Sequence, residues 1–95
     1  MRELFWTPEA IQDRETIYDY IEVDNPAAAL ALDELFEEKA GRLVDHPNLG
    51  RPGRVARTRE LVAHQNYVLV YDVTGDRVRI LRVLHAAIQW PSVRE

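Results

Sequence analysis

The 95-residue chain contains no cysteine, one methionine and one lysine. The lack of cysteine excludes disulfide bonds and thiolate metal ligands, and it is typical of proteins in a reducing compartment. No apolar run approaches the roughly 20 residues that a membrane-spanning helix needs. The first residues, MRELFWTPEA, lack the basic-then-apolar order of a signal peptide. We therefore expect a soluble cytoplasmic protein of one domain, residues 1–95.

Two common site types are also missing. There is no phosphate-binding P-loop and no dinucleotide fingerprint. His46, His64 and His85 are too widely spaced for a known metal-ligand motif. We predict neither a metal nor a cofactor.

The charges are unevenly divided along the chain. Residues 1–38 carry eleven acidic and two basic side chains, a net of −9, and residues 39–95 carry five acidic and ten basic ones, a net of +5, which together give −4. Nine of those ten basic residues are arginines, the residue best suited to two-pronged contacts with carboxylate and phosphate. The basic half could therefore face an acidic or nucleic-acid partner. The alternative is a solvated surface with pairing between the halves.

Two helical patterns occupy the first half of the chain. Thr7 is a good N-cap with Pro8 at the first helical position, and apolar residues then recur at helical spacing. Asn25 and Pro26 repeat that signal, and the second helix runs through residues 27–45. So short a link predicts an antiparallel helical hairpin.

A loop and a strand-rich half follow. Residues 45–53, DHPNLGRPG, have the composition of a loop. Predicted strands cover residues 57–63, 67–73 and 77–84, with turns at His64-Gln65-Asn66 and Thr74-Gly75-Asp76, and residues 2–6 form a further short strand expected at an edge. The fold class is α+β in the order β-α-α-β-β-β. A helical hairpin packs on one face of a small, mainly antiparallel four-stranded sheet.

Two short helices cover only one face of such a sheet, so we expect the opposite face to be at least partly open. On the last strand, alternate side chains form two sets: Arg77, Arg79, Leu81 and Val83, or Val78, Ile80, Arg82 and Leu84. The set with two arginines is predicted to be exposed. The aromatic residues predicted for the core are Trp6, Tyr18, Phe36, Tyr67 and Tyr71.

Four stretches resemble one known family. They are the helix pair TPEAIQDRETIYDYIEVDNPAAALALDEL, the loop LGRPGRVARTRELV, the strand YVLVYDV and the C-terminal ILRVLHAAIQWP. Together they are similar to the RelE/ParE superfamily of bacterial toxins, from about residue 3 to residue 91. Members are the toxin halves of type II toxin–antitoxin modules. The resemblance therefore implies a toxin that inhibits growth, stabilises plasmids as an addiction module and is neutralised by a cognate antitoxin.

The superfamily has two activities. RelE-like members cut messenger RNA in the ribosomal A site, and ParE-like members poison DNA gyrase without recognised nuclease chemistry. Where RelE-like nucleases have an arginine in the strand, this chain has Val68; Ala86 and Trp90 stand where they have a further arginine and a tyrosine. The ending VLHAAIQWP more closely resembles ParE-like members. The resemblance thus favours a non-enzymatic gyrase inhibitor over a ribosome-dependent mRNA endonuclease or a module that only binds its antitoxin.

If the chain is a ribonuclease, its catalytic candidates are His85, Arg82 and Arg79. His85 would act as base on a ribose 2′-hydroxyl or as acid on the leaving 5′-oxygen, and the arginines would hold the scissile phosphate. The alternatives are a histidine that closes the strand with backbone hydrogen bonds, and arginines that pair with the acidic helices. Some RNA-cleaving relatives use histidines instead of the arginine set, and this chain has His46 and His64 besides His85.

Contacts with a target or an antitoxin are predicted for a wider set: Arg51, Arg54, Arg59, Arg79, Arg82, His85, Gln89 and Trp90. Arg51 and Arg54 could cradle a phosphate or belong to a solvated turn. Arg59 could contact the target or pair within the chain, and Trp90 could stack on a base or pack the tail onto the fold. The expected partners are a cognate antitoxin, in a hetero-oligomer, and DNA gyrase or, alternatively, ribosome-bound mRNA.

Overall fold

The computed structural model describes residues 2–87, and in this part of the chain two helices lie beside a five-stranded sheet. The elements in chain order are β1 (Glu3–Trp6), α1 (Pro8–Glu22), α2 (Pro26–Asp45), β2 (Arg51–Pro52), β3 (Arg59–His64), β4 (Tyr67–Thr74) and β5 (Arg77–His85). The predicted α+β class with its helical hairpin is confirmed. Neither of these helices is long and apolar enough to cross a membrane.

The sheet has the strand order β1-β5-β4-β3-β2, with β1 parallel to β5 and the other neighbours antiparallel. The predicted edge position of the first strand is confirmed. The predicted number of four strands was one too low. Arg51 and Pro52, predicted as loop, pair with Glu60 and Arg59 to form the two-residue strand β2. A proline lacks the N–H that a central strand needs, so its place at the other edge is consistent with sheet chemistry.

Both helices begin where the capping signals predict. Thr7 Oγ1 accepts the Ala10 N–H at 3.1 Å and donates to the Leu81 carbonyl at 2.9 Å. The residue that starts α1 therefore also ties this helix to β5. Asn25 Oδ1 accepts the Ala28 N–H at 3.1 Å and starts α2 in the same way.

Arg14 joins three elements, although in the sequence it only interrupts the apolar stripe of α1. Its Nε and Nη2 donate to the Asp33 carboxylate of α2 at 2.9 and 2.8 Å, and its Nη1 reaches Glu37 at 3.3 Å. The guanidinium also lies over the Trp6 ring of β1, 4.4 Å from its centroid. The hydrogen bond with Asp33 raises the pKa of Arg14, so the cation that holds the hairpin together stays charged.

The core lies between the helices and one face of the sheet. Its fully buried side chains include Phe36 and Leu43 of α2, Leu69 and Tyr71 of β4, and Val78 and Ile80 of β5. Of the aromatics predicted for the core, Phe36 and Tyr71 are buried, Trp6 and Tyr67 are half-buried against it, and Tyr18 is half-buried at the helix surface.

A bulge at Leu81 changes which side chains of β5 face the helices. Tyr71 is opposite Ile80, but Val70 is opposite Arg82, so Leu81 has no partner on β4. An extra residue in one strand breaks the two-residue alternation. Neither predicted set is therefore correct along the whole strand: Arg77 and Arg79 lie away from the core as expected, but Val83, of the same set, is 2% exposed within it.

The face away from the helices is partly open. Phe5 and Val62, which point to this face by strand alternation, are 46% and 54% exposed. Val70 on the same face is buried, in a small depression that Arg54 and Glu60 also line. Val68 and Leu84 line the same depression and are also buried, so this face is closed near the loop between β2 and β3 and open at Phe5 and Val62.

Tyr71 anchors the segment between α2 and β2. Its buried hydroxyl donates to the Pro47 carbonyl at 2.7 Å and accepts the Gly50 N–H at 2.9 Å. A Cβ at Gly50 would lie 2.8 Å from the Tyr71 ring and hydroxyl and from the Glu60 carbonyl. Only glycine allows this approach, so the core tyrosine fixes where the segment crosses the sheet edge.

Asp13 of α1 attaches the helix to the second half of β5. Its Oδ2 and Oδ1 accept from Arg82 Nε and Nη2 at 2.7 and 3.0 Å, and Oδ2 also accepts the Val83 N–H at 2.9 Å. The Asp13 side chain is 15% exposed and that of Arg82 is 34% exposed. The carboxylate therefore satisfies both a guanidinium and a backbone donor in a largely dehydrated position.

We expect Asp13→Ala to lower the free energy of unfolding by about 1–3 kcal/mol, since it removes the carboxylate that accepts from Arg82 and from the Val83 N–H. Chemical denaturation at neutral pH measures the change. Asp19→Ala on the exposed surface of the same helix is the matched control, and we expect it to change stability by less than about 0.5 kcal/mol. Equal effects of the two substitutions would contradict a structural role for Asp13.

Burial raises the pKa of the Tyr71 phenol above its usual 10.0. The unfolded chain therefore loses this proton at lower pH than the folded chain. The contribution of the neutral phenol to the free energy of unfolding is complete below about pH 10 and is lost as the pH rises further. We expect Tyr71→Phe to flatten the fall in stability above about pH 10, and at neutral pH to cost about 1–2 kcal/mol for the lost hydrogen bonds. Denaturation curves across the alkaline range test both effects, with Tyr20→Phe as control because Tyr20 is 80% exposed. An alkaline slope that Tyr71→Phe leaves unchanged would contradict this assignment.

Candidate functional site

Three side chains meet where β3, β4 and β5 come together at one end of the sheet. Tyr67 begins β4 and is paired in register with both His64 at the end of β3 and His85 at the end of β5. The Tyr67 ring centroid lies 5.2 Å from that of His85, edge to face, and 6.2 Å from that of His64. His64, Tyr67 and His85 are called the histidine end below.

Both histidines of this end accept a backbone hydrogen bond through Nδ1. His85 Nδ1 accepts the Ala87 N–H at 3.0 Å, and His64 Nδ1 accepts the Asn66 N–H at 3.3 Å. An imidazole nitrogen that accepts a hydrogen bond carries no proton, so in the neutral ring Nε2 is protonated and acts as a donor. The sequence alternative in which His85 closes the strand with backbone hydrogen bonds is therefore observed.

A groove runs past the Tyr67 ring, between the helices and the histidine end. One part, of about 430 Å³, is lined by Ile21, Ala28, Ala31, Leu32, Leu35, His64, Asn66 and Tyr67. A second part, of about 360 Å³, is lined by Asp13, Thr16, Ile17, Tyr20, Tyr67, Arg82, Val83, Leu84 and His85. The two parts share Tyr67, and we call them together the Tyr67 groove. Most of its wall is apolar. Tyr20, which lines the second part, is 80% exposed.

The two arginines predicted on β5 are held in two-pronged ion pairs. Arg79 donates to both oxygens of Asp72 on β4, at 3.0 and 2.6 Å, and Arg82 makes the pair with Asp13 described above. The hydrogen bonds with these carboxylates raise the pKa of both guanidinium groups. Arg82 and His85 line the same part of the groove, whereas Arg79 lies in a separate cleft with Glu3. The structure therefore does not bring all three catalytic candidates together.

The remaining predicted arginines lie on residues 50–59, here called the arginine loop, at the β2–β3 edge. Arg51 Nη2 and Arg54 Nε approach the buried Glu60 carboxylate at 3.5 and 3.8 Å, and the Arg54 N–H donates to it at 3.2 Å. Arg59 donates to the Gly50 carbonyl at 2.6 Å. Arg51 and Arg54 are thus gathered around one carboxylate, and Arg59 fastens the base of the loop.

Sequence reasoning missed two residues of the site. Tyr67 was assigned to the core, although its position opposite His85 could be read from the hairpin pairing of β4 and β5. Asp13 lies outside the apolar stripe of α1, and no sequence signal indicated its contact with Arg82. Gln89 and Trp90 lie outside the described residues. His46 caps the C-terminal end of α2 and is not one of the residues of the histidine end.

Within residues 2–87, no three histidine, aspartate or glutamate side chains are arranged to hold a metal ion. The site consequently consists of an apolar groove, two oriented histidines and paired arginines. Such an arrangement can bind apolar side chains and donate hydrogen bonds from Nε2 of each neutral ring.

Comparison with known proteins identifies the family. The sequence model described as "ParE toxin of type II toxin-antitoxin system, parDE" matches residues 4–90. A Sinorhizobium fredii protein named "Putative toxin Y4kP" is 40% identical over 93 residues, which is 97% of this chain and 96% of that protein. "Toxin RelE2" of Caulobacter vibrioides is 37% identical over 87 residues, covering 92% of this chain and 98% of that protein.

A solved structure agrees with the sequence comparison. The "Chromosomal ParDE TA system from P. aeruginosa" contains a chain that superposes with a TM-score of 0.81 and 30% identity, covering 90% of this chain and 96% of that one. This chain belongs to the ParE toxin family of type II toxin–antitoxin systems.

Proposed function

We propose that the chain is held inactive by a cognate antitoxin and that, when released, it inhibits growth by acting on DNA gyrase rather than by cleaving RNA. The first part of the proposal is supported by the similar P. aeruginosa chain, whose structure is described as a ParDE system. The second part is supported by how the chain's own carboxylates hold the arginines of β5.

The Tyr67 groove is the surface that suits an antitoxin. Its two parts offer about 430 and 360 Å³ on either side of one aromatic ring. Apolar pockets of this kind accept the side chains of an amphipathic or extended segment that folds on binding. Nε2 of His85 at one side provides a donor for a carboxylate of the partner. The antitoxin is therefore expected to place apolar anchors beside Tyr67 and an acidic residue near β5.

The observation that carries the choice of activity is that Arg79 and Arg82 each form an ion pair with a carboxylate of the same chain. Each guanidinium has two nitrogens within hydrogen-bond distance of a carboxylate of the same chain. To hold a scissile phosphate, either arginine would have to give up a two-pronged ion pair. The partner of Arg82, Asp13, is also bound to a backbone N–H, which makes its displacement more costly.

His85 is also poorly placed to act as a general base. Its Nδ1 is occupied by the Ala87 N–H, and its Nε2 carries the proton in the neutral ring. A base must present an unprotonated nitrogen to the hydroxyl that it activates. Val68 stands where RelE-like nucleases have an arginine. These features together favour inhibition by binding.

The alternative, a ribosome-dependent mRNA endonuclease, is favoured by the histidine end itself. Two imidazoles flank a tyrosine at distances of 5.2 and 6.2 Å between ring centroids, and one relative is named RelE2. A rearrangement of the Ala87 segment would release Nδ1 of His85. The two activities leave different products, so one set of assays separates them.

We expect the purified chain to inhibit the supercoiling of relaxed plasmid by DNA gyrase, and its induction in bacteria to cause a DNA-break response without transcript cleavage. His85→Ala should leave transcripts equally intact, because its imidazole is not the base of a reaction. Transcript cleavage within translated codons that His85→Ala abolishes would establish the nuclease instead. Induction without any growth defect would identify a module that only binds its antitoxin.

We expect Ala31→Arg to weaken antitoxin binding at least about tenfold, because it places a charge in the apolar wall of the Tyr67 groove. Ala31 is exposed, so the substitution fills the groove without entering the core. Leu30→Arg is the matched control: it adds the same side chain at the neighbouring position, which is 51% exposed and does not line the groove. Titration calorimetry with the product of the gene adjacent to that of this chain measures the affinity of both variants. Equal weakening by the two variants would place the antitoxin elsewhere.

A further inference from the structure

The arginine loop is the most basic stretch of the described chain. Four arginines fall within its ten residues, at positions 51, 54, 57 and 59, and the loop itself contains no acidic residue. Glu60, which follows it, is the carboxylate that two of them approach. With Glu60 included, four positive charges and one negative charge leave a net of +3. This local excess stands out on a chain whose net charge is −4.

The loop is fixed by its own hydrogen bonds. The Gly53 N–H donates to the Thr58 carbonyl at 2.8 Å, and the Val55 carbonyl accepts from Thr58 Oγ1 at 2.7 Å and from its N–H at 3.1 Å. Arg57 has a φ of 69°, a left-handed conformation that is uncommon outside glycine. A preorganised loop loses little conformational entropy when it binds a partner.

Three of the four guanidinium groups of the loop, those of Arg51, Arg54 and Arg57, remain available for binding. Arg51 and Arg54 have side chains that are 63% and 49% exposed, and each approaches Glu60 through one nitrogen at 3.5 Å or more. Arg57 is exposed and forms no ion pair with any residue of 2–87. By contrast, Arg82 binds Asp13 through two nitrogens. The loop therefore presents outward-facing donors that β5 does not.

We propose that the arginine loop binds the phosphate backbone of duplex DNA, so that this toxin contacts DNA as well as gyrase. The inference rests on the proposed action on gyrase, an enzyme whose substrate is duplex DNA. A protein partner would need apolar anchors at the centre of its interface. The loop offers only Val55 and Ala56 as aliphatic side chains beside its arginines and its single proline. Guanidinium groups without such anchors are the usual means of binding phosphates without reading sequence.

The test measures binding of the purified chain to a short labelled DNA duplex by fluorescence anisotropy at several salt concentrations. With three phosphate contacts, the affinity should fall about 40-fold between about 50 and 200 mM salt. In the double variant R51Q/R57Q the slope of log affinity against log salt should become shallower by about two, one for each arginine. Glu60 keeps Arg54 as its partner in this variant, so the buried carboxylate is not left alone.

Arg77→Gln is the control: it removes one positive charge, against two in R51Q/R57Q, from an exposed residue of β5, three strands from β2. Its salt dependence should equal that of the parent chain. Absence of DNA binding, an unchanged slope in R51Q/R57Q, or tighter binding to a single-stranded RNA of equal length would overturn the inference. Circular dichroism of each variant establishes that the fold is retained.

The gyrase assay is carried out separately on the same preparations. A chain that binds DNA through the loop but leaves supercoiling unaffected would refute the proposed function and leave the DNA site standing. Inhibition of gyrase that R51Q/R57Q leaves unchanged, together with an unchanged salt slope, would refute the DNA site alone.

Discussion

The structure depends on a mismatch in length between two paired strands. β5 spans nine residues, but β1 pairs only with its first four, so residues 81–85 lack a strand partner on that edge. The chain fills this edge from α1: Thr7 contacts Ile80 and Leu81, and Asp13 accepts from Val83 and Arg82. A helix side chain thus takes the place of a strand. These contacts bring α1 close to the end of β5 and form the groove beside Tyr67.

The same contact decides what the arginines of β5 can do. A carboxylate that holds a backbone donor and a guanidinium together is held in place by both, and neither is easily released. Arg79 has a two-pronged partner in Asp72 on the adjacent strand. The division of charge along the chain is therefore partly cancelled inside the fold by close pairs. Within residues 2–87, the arginine loop keeps an excess of positive charge, because one buried carboxylate faces several arginines.

The sequence predicted the features that depend on local chemistry. The caps at Thr7 and Asn25, the turn at Gly75 and the strand pattern of residues 67–73 need only nearby residues, and each is where it was expected. The bulge at Leu81 could not be predicted, because both alternating sets of β5 contain arginine and neither is clearly apolar. The contact of Asp13 with Arg82 joins residues 69 positions apart. The sequence around an acidic residue on a helix surface does not indicate which distant residue it will contact. The role of Tyr67 was missed because an aromatic residue that begins an apolar strand usually belongs to the core.

Stability and partner binding are linked in a fold of this size. A chain of 95 residues buries only about 60–65% of its unfolded surface, so its margin of stability is small. This chain leaves part of its apolar surface in the Tyr67 groove, next to a largely exposed Tyr20. A partner that fills the groove removes that surface from water and binds only the folded state, which raises stability by mass action. The arginine loop lies at the opposite edge of the sheet from β1 and is fixed by its own hydrogen bonds, so filling the groove need not reshape it. An antitoxin seated beside Tyr67 would therefore have to block the toxin's action by covering or displacing the target, rather than by unfolding the loop that we propose binds DNA.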